Sequence, residues 1–336
     1  MCNSNFFSVL YHIRCALRYI GVIRHNQIML DPLFCLEIWG TDYHRIKETC
    51  LLAEKLGYHG FYYGESLTDI DLDCWTIISN LSAITQKIRL GPVITYILPG
   101  YRNISLLAKQ ALTVQEISDG RLEFRTGVGA IPRWASKWWH PYAIDYPNNA
   151  ERVSIFEEGM KLLNMFWGNS SSTITFNGQH FKVQDAALLK NNFRKVIPIT
   201  IAARRLKTIQ IAARYAHVWE CSYLDPEQFV LLNKKFEDIC KKGNLNKERS
   251  IARSIELDVI VSESNSDLEY KKKLFAIERG VSTIDRIFRQ GLIGTPEEIR
   301  ERLSQYTRAG VNQFLLAFHD PLDNKALELF MDMATK

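Results

Sequence analysis

The feature that most constrains this chain is a repeated switch in hydrophobic period, between about 2 and about 3.6 residues, along most of its length. From Leu33 onward, short β-prone runs alternate with amphipathic helical stretches. The run 34–39 is strand-like and stops at Gly40. Residues 43–56 carry Ile46, Leu51, Leu52 and Ala53 at helical spacing, and Gly57 stands where a helix C-terminal glycine belongs. A second strand follows at 60–64. Asp73 then caps a helix at 74–85, with Trp75, Ile77, Ile78, Leu81 and Ile84 on its apolar stripe. Strands at 88–95 and 121–126 flank a helix at 103–118. Strand-then-helix units in this order argue for a parallel sheet with crossover helices.

The rhythm breaks between 130 and 195. A helix at about 150–167 is followed by Thr173–Phe176, Asn177-Gly178 and His180–Val183. Asn-Gly between short β-prone runs signals a hairpin. This stretch reads as an excursion from the sheet, not as a domain. The alternation resumes with strands at 198–202, 217–221, 257–261 and 314–318 and helices at 205–215, 225–241, 296–309 and 324–334. Thr295-Pro296 opens the third of these helices. Eight strands, each tied to a helix, predict an α/β fold: a (β/α)8 TIM barrel with an insertion after strand four, helix plus β-hairpin. A doubly wound open sheet is the competitor.

Residues 33–336 are read as one barrel domain. Residues 1–32 are read as an N-terminal extension, disordered or loosely docked, with an amphipathic surface helix as the sharper reading; His12, Arg14 and Arg18 interrupt its apolar run. No uninterrupted apolar stretch reaches roughly 18 residues, so no membrane span is expected. The net charge of +5 is small for 336 residues and comes without a dense basic block, which gives no sign of nucleic acid. Seven cysteines contain no C-x-x-C pair. Cys35, Cys50, Cys74, Cys221 and Cys240 read as small buried hydrophobes of a cytoplasmic protein. The eight histidines form neither H-x-H nor H-x-x-x-H, so no metal is expected.

A barrel of this kind carries its site at the C-terminal ends of its strands. That singles out Glu65 and Ser66, Thr95, Gly127-Val128-Gly129, Arg204 and Arg205, Glu220 to Ser222, Ser262 and Glu263, and His319 and Asp320. Gly127-Val128-Gly129 is a turn where backbone N–H groups could approach a ligand, or simply a tight turn. Arg204-Arg205 falls where a strand gives way to a helix. It is either a phosphate anchor or a solvated basic pair. His140 lies among tryptophans, as a core residue or a lid contact.

Several runs, in order over about residues 34–334, resemble the bacterial luciferase-like family. They are Ala53-Glu54-Lys55-Leu56-Gly57-Tyr58, Ile88-Arg89-Leu90-Gly91-Pro92-Val93, and Leu107-Ala108-Lys109-Gln110-Ala111-Leu112-Thr113 leading to Ser118-Asp119-Gly120-Arg121-Leu122. The Glu151-Arg152 helix, Phe176-Asn177-Gly178-Gln179-His180-Phe181, Ala212-Ala213-Arg214-Tyr215-Ala216 and Gly294-Thr295-Pro296-Glu297-Glu298 continue the series. The resemblance implies a (β/α)8 barrel that binds coenzyme F420 or reduced FMN. It implies a cis peptide at Val93–Ile94 behind the ring. It places cofactor contacts at Val93, Ile94, Thr95, Gly127, Val128, Gly129, Ala202, Ala203, Arg204 and Arg205. Glu65 and Ser66 are the catalytic candidates, with a structural ion pair as the plainer reading of Glu65.

The chain also departs from the family pattern. Ser66 stands where F420-dependent relatives carry histidine. Ala130 stands where sugar-phosphate dehydrogenases carry an acid. Ala202-Ala203-Arg204-Arg205 replaces a glycine-rich phosphate loop, and His217-Val218 replaces Asp-Gly. Arg204, Arg205 and Lys207 favour the acidic tail of F420, whereas the missing histidine argues the other way.

The implied function is oxidoreduction, either hydride transfer or monooxygenation of a small organic substrate. A flavin reductase is a candidate partner, as is a second copy through helices near strands two and three. The alternative is a non-catalytic flavin- or partner-binding barrel of the same fold. A phosphosugar-binding barrel unrelated to flavin rests on architecture alone.

Overall fold

The computed structural model describes residues 31–130, 137–168, 173–188, 196–243, 250–279, 281–320 and 322–335. The extension expected at 1–32 lies almost wholly outside them. The elements run β1 (Leu33–Ile38), α1 (Tyr43–Leu56), β2 (Gly60–Gly64), α2 (Cys74–Ile84), β3 (Arg89–Val93), β4 (Thr95–Tyr96), α3 (Ile104–Ile117) and β5 (Phe124–Gly127). After the excursion of α4 (Asn149–Gly168), β6 (Ile174–Asn177) and β7 (Lys182–Ala186) come β8 (Ile199–Ala202), α5 (Leu206–Tyr215), β9 (Val218–Ser222) and α6 (Pro226–Lys242). The chain ends with β10 (Ala252–Val261), α7 (Asn265–Arg279), α8 (Val281–Gln290), β11 (Leu292–Gly294), α9 (Pro296–Arg308), β12 (Gln313–Phe318) and α10 (Asn324–Ala334).

The sheet order is β3-β2-β1-β12-β10-β9-β8-β5-β4, with every pair parallel. β3 and β4 are two halves of one strand, divided at Val93–Ile94, so the two ends of that order meet. The seam is completed by a parallel bridge between Leu90 and Leu122, with Glu123 N–H donating to the Leu90 carbonyl at 2.9 Å. The result is an eight-stranded barrel, and the open-sheet alternative falls. β6 and β7 form the expected antiparallel hairpin outside it.

Caps place the helices, at Asp73, Thr295 and Gly57 as the sequence anticipates and at four further residues that it does not single out. Asp42, Asp73, Asn103, Asp225, Thr295 and Asp323 each accept first-turn N–H groups through their side chains, and Gly57 adopts φ +88° after α1. Outward strand residues pack on the helices as one continuous core running from Phe34 to Met333. The five cysteines named above are buried and free. No helix among the described residues is long and apolar enough to cross a membrane.

Three expectations need correction. The stretch 264–292, to which the sequence pattern assigns neither strand nor helix, forms α7 and α8 and leads into β11, which pairs with the C-terminal half of β10. β10 begins at Ala252, five residues before the expected strand, because its inward positions are polar and hide the period. His140 is exposed and opens a short 3-10 turn; the buried member of that patch is Trp139.

Candidate active site

The barrel interior is polar where such barrels are commonly filled by branched apolar residues. Arg125, fully buried, donates to Glu123 Oε1 at 2.6 Å and pairs with Glu220. Tyr62 and Thr200 hydroxyls donate to Glu123, each at 2.6 Å, and Ser254 donates to Glu220 at 2.7 Å. Burial raises the Glu123 carboxyl, but Arg125, Arg89 and these hydroxyls overcome it and hold the group at about 2. Glu220 moves the other way, because burial outweighs Arg125.

Above this layer, toward the strand C-termini, lies the mouth. Its inward side chains are small on one side, at Gly64, Val93, Gly127 and Ala202, and acidic on the other, at Glu37, Glu256 and Asp258. Glu37, Val93, Ala202, Ser222 and Glu256 point inward by register yet keep partial exposure, so the mouth is open to solvent. Ser222 donates to Glu256 at 2.7 Å. Burial, together with the charges of Glu256, Glu220 and Asp258, drives the Glu37 carboxyl well above the usual carboxylate range.

The structure sorts the predicted residues. The Val93–Ile94 peptide is cis, as the resemblance implies. Ile94 packs against the patch of Tyr96, Leu98, Trp139 and Ile144, and Thr95 is buried. At Gly127 a Cβ would crowd Ile94 Cδ1 at 3.1 Å and the Ala202 carbonyl at 3.3 Å. Gly129 has φ +95° and faces the Tyr146 hydroxyl, which donates to the Ala130 carbonyl at 2.6 Å. That second glycine therefore has a packing reason of its own, and Val128 packs on the outer core.

Glu65 is buried in an ion pair with Arg102 at 2.6 Å and accepts from the Tyr101 hydroxyl at 2.9 Å. Arg102 in turn lies over the Tyr101 ring at 5.0 Å. Ser66 donates to Asp71 at 3.0 Å, and Asp71 also accepts weakly from Gly40 N–H at 3.4 Å. These contacts tie the β2–α2 loop to the end of β1. The geometry thus gives Glu65 and Ser66 structural partners.

Across the mouth, the Ala203 carbonyl accepts from the Trp219 indole at 2.8 Å, and that indole stacks on Phe236 with centroids 4.2 Å apart. The turn is therefore pinned from below. Arg204 and Arg205 are exposed at its crest. Arg205 is the N-cap of α5 and makes no side-chain cap bond; the Thr208 hydroxyl accepts from the Arg205 N–H at 3.3 Å, which leaves the next N–H groups of the first turn without a carboxylate or hydroxyl cap among the described residues. A cationic turn ahead of free helix N–H groups suits an anion.

A family model described as luciferase-like monooxygenase matches residues 24–279. The chain belongs to the luciferase-like monooxygenase family. Solved structures share this luciferase-like fold at low identity. An F420-dependent secondary alcohol dehydrogenase, in complex with an F420-acetone adduct, aligns at TM-score 0.78 and 16% identity over 91% of this chain and 99% of that one. A coenzyme F420-dependent tetrahydromethanopterin reductase from Methanopyrus kandleri gives 0.73 and 18% over 90% and 98%. Monooxygenase RslO1 from Streptomyces bottropensis gives 0.75 and 17% over 90% and 98%.

Sequence reasoning passed over Glu37, Glu256 and Asp258. The signal was present in Ser254-Ile255-Glu256-Leu257-Asp258, where polar and apolar residues alternate inside a luciferase-like strand buried on both faces.

Proposed function

We propose that this chain is a luciferase-like oxidoreductase that binds coenzyme F420 or reduced FMN across the barrel mouth. It would use the cofactor for hydride transfer to, or monooxygenation of, a small organic substrate. The observation that carries the reading is the two-sided mouth: short side chains on one wall and a basic helix start at the rim. A planar tricyclic ring needs a wall of short side chains, and Gly64, Val93, Gly127 and Ala202 supply one, with the Asp71 carboxylate standing over Gly64 and Ile94 over Gly127. A phosphate needs donors, and Arg204, Arg205 and the first amides of α5 supply them. The residues fit the cofactor.

When bound, the cofactor supplies the hydride or the reduced flavin that reacts with oxygen. The chain's own work is narrower. The Ala202-to-Arg205 turn holds the phosphorylated end. The aromatic patch around Trp139 shields one side of the mouth from water. Glu37, its carboxyl pushed well above the usual carboxylate range by burial and neighbouring acids, is suited to hold a proton in the mouth. The names of the structural neighbours include both F420-dependent enzymes and a monooxygenase, which supports the reaction class without choosing within it.

The test is a titration of the purified protein with F420, and anaerobically with reduced FMN, followed by fluorescence. One of the two binds with a dissociation constant of tens of micromolar or tighter. Absence of binding by both refutes the reading. Binding with no turnover across alcohols, aldehydes and enones under either regime favours the non-catalytic barrel.

A further inference from the structure

Tyr96 closes β4 and turns its ring into the barrel mouth. The register fixes that direction: Tyr96 pairs with Gly127, Gly127 with Ala202 and Ala202 with Glu220, all of them inward positions. The ring is held on two sides. It meets the Trp139 indole edge-on with centroids 4.8 Å apart, and its Cδ1 stands 3.5 Å from where a Cβ at Gly129 would lie. The residue is only 7% exposed, yet among the described residues its hydroxyl donates to none. A buried hydroxyl calls for a partner, and a ligand oxygen seated in the mouth provides one.

The ionisable groups that act on this hydroxyl come from three elements: Glu37 on β1, Glu65 and Asp71 on the β2–α2 loop, and Tyr146 ahead of α4. Burial first, and then these groups, push the phenol up from its ordinary value, so it keeps its proton and stays a donor. Three of the four are engaged elsewhere. Glu65 holds Arg102 and Tyr101, Asp71 holds Ser66, and Tyr146 donates to the Ala130 carbonyl. Glu37 differs. Its Oε2 is closed off from solvent and accepts no hydrogen bond among the described residues, while the residue as a whole keeps partial exposure toward the mouth. Burial and the charges of Glu256, Glu220 and Asp258 outweigh Arg125 and favour the neutral carboxyl, which donates one hydrogen bond. Two donors therefore look into the same space. Glu256, beside Glu37, disfavours an anion there, which leaves a neutral oxygen acceptor as the complement.

We infer that Tyr96 and Glu37 receive the carbonyl oxygen of a neutral aldehyde or ketone substrate, with Tyr96 setting the preference for oxygen at that place. The inference rests on the proposed function for putting the substrate in this mouth, and it adds the substrate's chemical class. Two hydrogen bonds to the oxygen draw electron density from the carbonyl carbon. Loss of the Glu37 proton removes one donor and sets a negative charge against the oxygen, so carbonyl binding weakens as the pH rises. The groups facing Glu37 are Tyr62 from β2, Tyr96 from β4, Arg125 from β5, Glu220 and Tyr223 from the β9 end, and Glu256 and Asp258 from β10. On β12 the inward positions are Leu315, Ala317 and then His319.

The probe is cyclohexanone labelled with carbon-13 at the carbonyl, titrated into the full chain by NMR, without cofactor and again with whichever of F420 and reduced FMN binds. The parent binds it and moves the carbonyl resonance downfield, as donors to the oxygen do. Tyr96→Phe weakens binding about two- to tenfold, the worth of one neutral hydrogen bond, and loses part of the downfield displacement. The affinity of the parent falls from pH 6 to pH 9. Glu37→Gln keeps a donor without a titrating proton, so it binds the ketone alike at both. No ketone binding in any cofactor state, full affinity and full displacement in Tyr96→Phe, a parent affinity level with pH, or a Glu37→Gln profile that follows the parent's overturns the inference. If Tyr96→Phe fails to fold, the pH profile of the parent against Glu37→Gln decides. Cofactor titrations are scored separately. Ketone binding in a chain that takes neither cofactor sinks the proposed function and leaves the carbonyl site standing, whereas cofactor binding with a Tyr96→Phe variant that holds the ketone as the parent does sinks this inference alone.

Discussion

Replacing Arg125 with methionine keeps most of its volume and removes its charge. The side chain is fully buried and holds Glu123 at 2.6 Å and Glu220 besides. Removing one partner of a buried ion pair costs about 3–5 kcal/mol, because the other partner stays buried and charged. A second route gives a similar figure. Glu123 sits at about 2 against an ordinary 4.5, and Arg125 is the largest influence opposing burial. That displacement is worth roughly 3 kcal/mol.

At about 2 cal/mol/K per residue, a loss of 3–5 kcal/mol lowers Tm by about 4–7 °C in a chain of this length. The pH dependence has a defined sign. In the parent, Glu123 is depressed, so its contribution is complete above about 4.5 and fades as the pH falls toward about 2. In Arg125→Met, Arg89 and the Tyr62 and Thr200 hydroxyls still oppose burial at Glu123, but Glu220 loses its cation and its folded carboxyl rises further above the unfolded value. Protonation then relieves it, and the penalty is smaller at pH 5 than at pH 8. Guanidinium unfolding at the two pH values measures this. A penalty under about 1 kcal/mol, or one that grows at pH 5, refutes the account of the interior.

Three further outcomes are expected. Gly91→Ala places a Cβ into the Glu123 backbone carbonyl at the barrel seam and costs more than about 2 kcal/mol, read as lost soluble yield or a Tm drop beyond 3 °C. His59 is lowered by burial to about 4, so stability is full above 6.5 and declines as the pH falls toward 4; His59→Gln removes roughly 3 kcal/mol of that pH-dependent loss in unfolding titrations. Arg204→Ala and Arg205→Ala together weaken F420 or FMN binding by about 10–100-fold, the worth of one or two charge-assisted bonds, with Tm within 1 °C of the parent because both side chains are exposed.

Most of the candidate site was legible as addresses. Strand ends pointed to Glu65, Thr95, Gly127 and Arg204, and the structure brings the β3, β5 and β8 ends to one mouth. What the addresses could not give was partnership. Glu65 and Ser66 follow a strand as catalytic groups do, yet Arg102, 37 positions on, and Asp71 hold them. Glu37 lay unnoticed in an apolar run, because one charged residue in a strand reads as an outward one.

The sequence by itself determined the order of strands and helices, their caps, and the excursion after the fourth barrel strand. Each depends on contacts within a few residues: an Asp before a helix, a glycine after it, an Asn-Gly between β-prone runs. Only the tertiary structure decided which polar residues turn inward and which acids share a cavity. Arg125 and Glu220 lie 95 positions apart, and Asp258 meets Glu37 across a strand from the far end of the chain. Charge interactions act through space, and closure of the barrel sets those distances.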